Sequence, residues 1–178
     1  MRMLSYILAA MLAIAAWGCG RRQDLRLERA DALVCVDPEG ALCVLDSIDA
    51  DGLTNADRAW YGLLRAKARS KNHEAVGCDS LTSFAVDHFA GRGDSLEIQA
   101  LYYHGVGLAD ADSASLAIIT LREAYDKAMK AADHFFAAMA ARMLNHIFNN
   151  QMIPDRQLVW AERAKEQFIK ADKPVHAA

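Results

Sequence analysis

Residues 101–124 read LYYHGVGLADADSASLAIITLREA, and the fold follows from this stretch. Apolar or small residues recur at three- and four-residue steps on both sides of a short polar break, at Leu101, Gly105 and Leu108 before it and Ala117, Leu121 and Ala124 after it. Such steps align side chains on one face of a helix. Two helices joined by so short a break fold back on each other as an antiparallel hairpin. Small residues at the crossing let the two backbones approach, and the large ones remain to fill the gap to whatever packs next. The spacing returns forty residues on, with Ala141, Leu144, Asn145 and Phe148 followed by Gln157, Ala161 and Ala164. Recurrence at a fixed period marks an array of stacked units, none of which buries its apolar face alone.

Reading outward from these two hairpins, the same periodicity runs through the remainder of the chain, and runs of β-branched residues are absent. An earlier pair keeps Trp60, Leu63 and Leu64 on one helix and Ala85 and Phe89 on the next, across a longer loop. The pair before it is shorter and reads as a cap. The expected helices span 24–35, 38–48, 55–71, 79–90, 95–109, 112–131, 134–150 and 155–171. Asp24, Asp37, Asn55, Asp79, Asp94, Asp112, Asp133 and Asp155 stand at or near their starts as candidate caps. Pro38 and Pro154 suit helix entrances. The predicted class is therefore all-α, a helical-hairpin solenoid of about eight helices, with an unrelated compact helical bundle as the competing architecture.

Composition agrees and removes other classes. The chain has 178 residues, 53% of them hydrophobic, which is too apolar for disorder. Its 20 Lys plus Arg against 23 Asp plus Glu leave a net charge of −3, with no basic surplus for nucleic acid. The first residues are a different matter. Arg2 precedes an apolar run from Leu4 to Trp17, then Gly18, Cys19 and the polar stretch Gly20-Arg21-Arg22-Gln23-Asp24. This is the layout of a secretory signal, too short for a lasting transmembrane span. Ala16-Trp17-Gly18-Cys19 resembles the bacterial lipobox, although Ala16 and Trp17 depart from its usual first and second residues. The resemblance implies cleavage before Cys19 and lipidation of that cysteine, and acyl chains there would anchor the protein without embedding it. The expected organisation is a signal peptide over 1–18, a tether over 19–24, a helical domain over 25–171 and a tail over 172–178. With no Asp after Cys19, the expected address is the periplasmic side of the outer membrane. Secretion into the periplasm and surface exposure are the alternatives.

Three cysteines remain. Export makes a disulfide between Cys35 and Cys43 chemically accessible if the first two helices form a hairpin. The alternative places both as small hydrophobes on its inner faces. No spacing is that of a zinc site, no cofactor motif occurs, and the histidines are scattered. Asp87, His88 and His104 would revive a metal-binding or hydrolase reading only by converging in one pocket.

The segments Ala41-Leu42 with Leu45-Asp46-Ser47-Ile48, Ala59-Trp60-Tyr61 with Ala66-Lys67-Ala68-Arg69-Ser70-Lys71-Asn72, Asp79-Ser80-Leu81 and Tyr102-Tyr103-His104-Gly105 resemble those of bacterial tetratricopeptide (TPR) lipoproteins and sensor-like proteins. The likeness extends over most of 25–171. With no catalytic motif in the chain, and because stacked hairpins present a concave surface lined by the first helix of each pair, the expected role is a non-enzymatic scaffold that takes a protein or peptide partner in that groove. In the repeat register the groove positions are Tyr61, Arg65, Gln99, Tyr102, Arg142, His146 and Asn149, although the tyrosines, like Trp60, suit the core better than a ligand platform. Arg142, His146 and Asn149 form one polar stripe, with Arg142 suited to a peptide carboxylate. The alternative reading is the sensing part of a TPR signalling protein truncated after Ala178. A reading frame that continues past that residue into a membrane helix would mark it.

Overall fold

The computed structural model describes residues 24–77 and 80–173. Among them are eight α-helices and no strand: α1 Leu25–Leu33, α2 Pro38–Asp46, α3 Asn55–Lys71, α4 Ser80–Phe89, α5 Ser95–Asp110, α6 Ala114–Lys130, α7 His134–Asn150 and α8 Pro154–Lys170. A single 3₁₀ turn, Ala50–Gly52, separates α2 from α3. None of these helices is long and apolar enough to cross a membrane. The leader, Cys19 and Cys78 lie outside the described residues.

The helix starts follow from local chemistry. Asp24, Asp37, Asp94 and Asp133 each accept a backbone N–H of the first turn, which satisfies a donor that has no partner within the helix. Thr54 caps α3 in the same way, and its hydroxyl also donates to Asp57 at 2.7 Å. Asn55, an expected cap, is instead the first residue of α3 after Thr54, and two further expected caps move. Asp112 stands one residue before the cap Ser113, and Asp155 falls inside the first turn of α8, after Pro154.

Both shifts come from the links between the last four helices. Asp112, Ala132, Met152 and Asp172 all have positive φ, between 54° and 57°. Each is followed by an N–H that reaches back to the carbonyl five residues earlier: Ser113 to Leu108 at 2.9 Å, Asp133 to Ala128 at 2.9 Å, Ile153 to Phe148 at 3.0 Å and Lys173 to Phe168 at 2.9 Å. This is the Schellman C-cap, a turn that glycine ordinarily supplies. The helices it separates begin at residues 114, 134 and 154, so one helix plus one link spans twenty residues.

Consecutive helices pack against each other all along the chain. The backbones of the odd-numbered helices also approach in series, α1 to α3, α3 to α5 and α5 to α7, whereas those of the even-numbered ones stay apart and α6 meets α8 through side chains, the Tyr125 ring lying edge-on to Trp160 at 5.2 Å. Two cores result. Leu27, Ala30, Val34, Leu45 and Ile48 enclose a small one with Tyr61, Leu64 and Ala68 of α3. Ala59, Leu63 and Ala66, on another face of α3, open the main core, which continues through Ile98, Leu121 and Leu144 to Phe168. α3 therefore belongs to both.

Close crossings explain two glycines. A Cβ on Gly105 would lie 2.7 Å from Leu121 Cγ, and one on Gly62 would lie 2.7 Å from the Leu81 carbonyl oxygen. Asn145 occupies the place forty residues after Gly105, and its Oδ1 is buried without a hydrogen-bond partner.

Candidate partner-binding surface

The residues expected to line a groove separate into two groups. Tyr61 and Tyr102 are 5% and 4% exposed, so both are core side chains and offer no ligand platform. Tyr61 sits in the N-terminal core. Arg65, on the same helix, turns to α2 and pairs with Asp46 at 3.7 Å. Gln99 is half-buried and donates to Ser95 Oγ at 2.8 Å. Arg142, His146 and Asn149 are exposed on α7, in agreement with their i, i+4, i+7 spacing.

Arg142 is held by its own molecule. Its guanidinium lies 5.7 Å from the Phe168 ring centre and donates to Met139 Sδ at 3.3 Å. It also reaches the Tyr102 hydroxyl. Burial pushes that phenol above its ordinary range, and the neighbouring positive charge and hydrogen bond of Arg142 counter part of the rise.

His146 faces a more open place. Together with Asp110, Asp112, Met143 and Asn150 it lines a cleft of about 240 Å³ where the C-terminal ends of α5 and α7 meet the start of α6. Its Nε2 is 3.2 Å from Asn150 Nδ2. The lining holds two carboxylates and no Lys or Arg. Asp110 already accepts the Val76 N–H at 2.8 Å, which ties the loop after α3 to this end of α5. An acidic cleft floored by Met143 suits a cationic or amphipathic group, and disfavours the peptide carboxylate that Arg142 alone suggests.

Two features escaped the sequence reading. Glu97, 4% exposed, accepts the N–H groups of Gly91 at 2.8 Å and Gly93 at 2.6 Å, and Lys127 Nζ at 2.9 Å. Burial raises its carboxyl pKa, but these two N–H groups and Lys127 outweigh that and hold it below the ordinary value. The other is a 600 Å³ cleft between α6 and α8, whose backbones stand apart beside the Tyr125–Trp160 contact. Arg122, Arg156 and Arg163 stand around Trp160 there, with the Arg163 guanidinium 4.5 Å from the indole. Arg156, Trp160 and Arg163 share one face of α8 at i, i+4 and i+7, a local signal the sequence offers, and only Arg122 comes from forty residues away.

Cys35 and Cys43 are free thiols, and both are exposed. This corrects both expectations for them: they are not joined in this structure, and neither lies on an inner face, where Val34 and Ala41 point instead. Among the described residues no three His, Cys, Asp or Glu side chains gather as metal ligands. His104 pairs with Thr82 at 3.2 Å, and His88 stacks on Phe84.

No protein-family model, no curated protein and no solved structure matches this chain.

Proposed function

We propose that the protein is a non-enzymatic scaffold of the cell envelope, a stack of TPR-like hairpins that binds a protein or peptide partner along α5 and α7. The observation that carries this reading is the contact order of the helices. The backbones of odd helices approach in series while those of even ones lie further apart and meet only through side chains such as Tyr125 and Trp160, as in hairpins stacked side by side, and the C-terminal half repeats at twenty residues per helix. The cleft beside His146, with its two aspartates, supports a basic or amphipathic segment as the bound element. Anchoring through Cys19, on the periplasmic side of the outer membrane, rests on the apolar run before it and the lipobox-like junction.

The test is capture of partners from detergent-solubilised membranes. Wild type is compared with the double variant His146→Lys and Asn149→Lys and with Lys130→Glu as a control on α6. Selective loss in the double variant supports the assignment, and equal recovery from all three refutes it. Arg142 is the poorer choice for substitution because its contacts to Tyr102 and Phe168 link it to the core.

A further inference from the structure

We infer that the outer stripe of α8 is a self-association surface whose occupant is a second copy of this chain. The stripe consists of Leu158, Glu162, Lys165 and Ile169, at i, i+4, i+7 and i+11, which a helix of 3.6 residues per turn places on one narrow face. Leu158 is 62% and Ile169 57% exposed, and Glu162 and Lys165 are also exposed. Among the described residues neither charge forms an ion pair, unlike the neighbouring Lys170 and Glu166, which meet at 2.6 Å. Of the corresponding residues of α6, forty positions earlier, Ile118 packs against the main core and Tyr125 is buried, while Arg122 and Met129 are exposed. A helix follows α6 and covers it, and none follows α8 among the described residues.

The order of residues along the stripe selects the occupant. Apolar, acidic, basic and apolar positions are symmetric about the point between Arg163 and Ala164. When two copies of α8 cross antiparallel about a two-fold axis through that point, Leu158 meets the partner's Ile169 and Glu162 meets the partner's Lys165. An isologous contact repeats each pair, so two apolar and two ionic contacts form from four side chains. A parallel or shifted arrangement sets like charges together or leaves the apolar ends uncovered. The area along one helix pair falls at the low end of specific interfaces, so the dimer exchanges readily.

The experiment uses two differently tagged full-length chains expressed together and captured through one tag in detergent. Wild type is expected to co-purify with wild type. Glu162→Lys paired with itself, and Lys165→Glu paired with itself, each replace two attractions by two repulsions and should reduce recovery about ten-fold. Glu162→Lys paired with Lys165→Glu restores both attractions and should return recovery to near the wild-type level. Such rescue cannot come from a folding defect, since both variants are present in it. The inference is overturned if wild type fails to co-purify, if all four pairs recover equally through the apolar leader, or if the mixed pair recovers no better than the single swaps.

Discussion

The helices after Ser95 and those before it solve the same packing problem by different means. In the C-terminal half one turn recurs, with left-handed residues at 112, 132, 152 and 172 and three-residue links. The N-terminal half uses helices of 9, 9, 17 and 10 residues, each with its own closure. Pro38 opens α2, a 3₁₀ turn leads to the Thr54 cap, and the loop after α3 is tied down by Asp110. Repetition of one link keeps the helices in register, and side-chain ties such as Glu97–Lys127 and His134–Gln167 add to it. Where the link varies, specific side chains take over the positioning.

The largest test of this contrast lies in the two cores. Leu144 is fully buried in the main core, and Leu144→Ala should cost about 3 kcal/mol of global stability, measured by urea unfolding. Leu45→Ala removes a similar side chain from the small core. If α1 and α2 form the less stable unit, it should release their amide protection while that of α7 persists. Equal loss in both would mean that the halves unfold as one.

The two glycine crossings come next. Gly62→Ala drives a methyl into the α4 backbone and should destabilise by about 2 kcal/mol. Gly105→Ala meets a leucine side chain that is able to shift, and should cost about half as much. Thermal melts of both variants read the difference, and the reverse order would place the tighter crossing in the regular half.

Glu97 lies at the junction of the two halves, since its carboxylate binds the loop between α4 and α5 as well as α6. Its pKa is lower folded than unfolded, so its contribution is present above the unfolded value near ~4.3 and is lost as pH falls toward the folded one. Stability measured between pH 7 and pH 3 should therefore fall less steeply in Glu97→Gln than in wild type. At neutral pH that variant should be weaker by about 1 kcal/mol, through loss of charged hydrogen bonds.

The smallest effect is a gain. Ala132 and Met152 hold left-handed backbone without glycine, so Ala132→Gly and Met152→Gly should each stabilise by about 0.5–1 kcal/mol. His73→Gly, the corresponding position after α3, should gain a similar amount. A smaller gain there would show that the irregular loop and not the turn residue limits that end of α3.

Much of the helix layout was readable because periodicity and caps are local. The expected spans 55–71 and 134–150 coincide with α3 and α7. The starts near 112 and 155 were misplaced because a left-handed Asp112 and an Asp155 inside a first turn have the same composition as caps, and only φ distinguishes them. α1 and α2 are each shorter than their apolar patterns suggest, ending at Leu33 and Asp46. The candidate surface was readable only in part. Spacing placed Arg142, His146 and Asn149 together, since one helix carries all three. For Tyr61 and Tyr102 the residue type spoke for the core and the register for the groove, and the structure buries both. Glu97 gave no signal, as its partners come from a loop and from a helix thirty residues on.

The uniform twenty-residue step has a consequence for how such a chain lengthens. The segment 114–153 carries α6, α7 and the links that follow them, and both the residue before it, Ser113, and its last residue, Ile153, are non-helical caps that follow a left-handed residue. Inserting a second copy of those forty residues in tandem presents every junction with neighbours it already accepts. Growth by gene duplication is thus open to the C-terminal half and closed to the other, where no two joints are interchangeable.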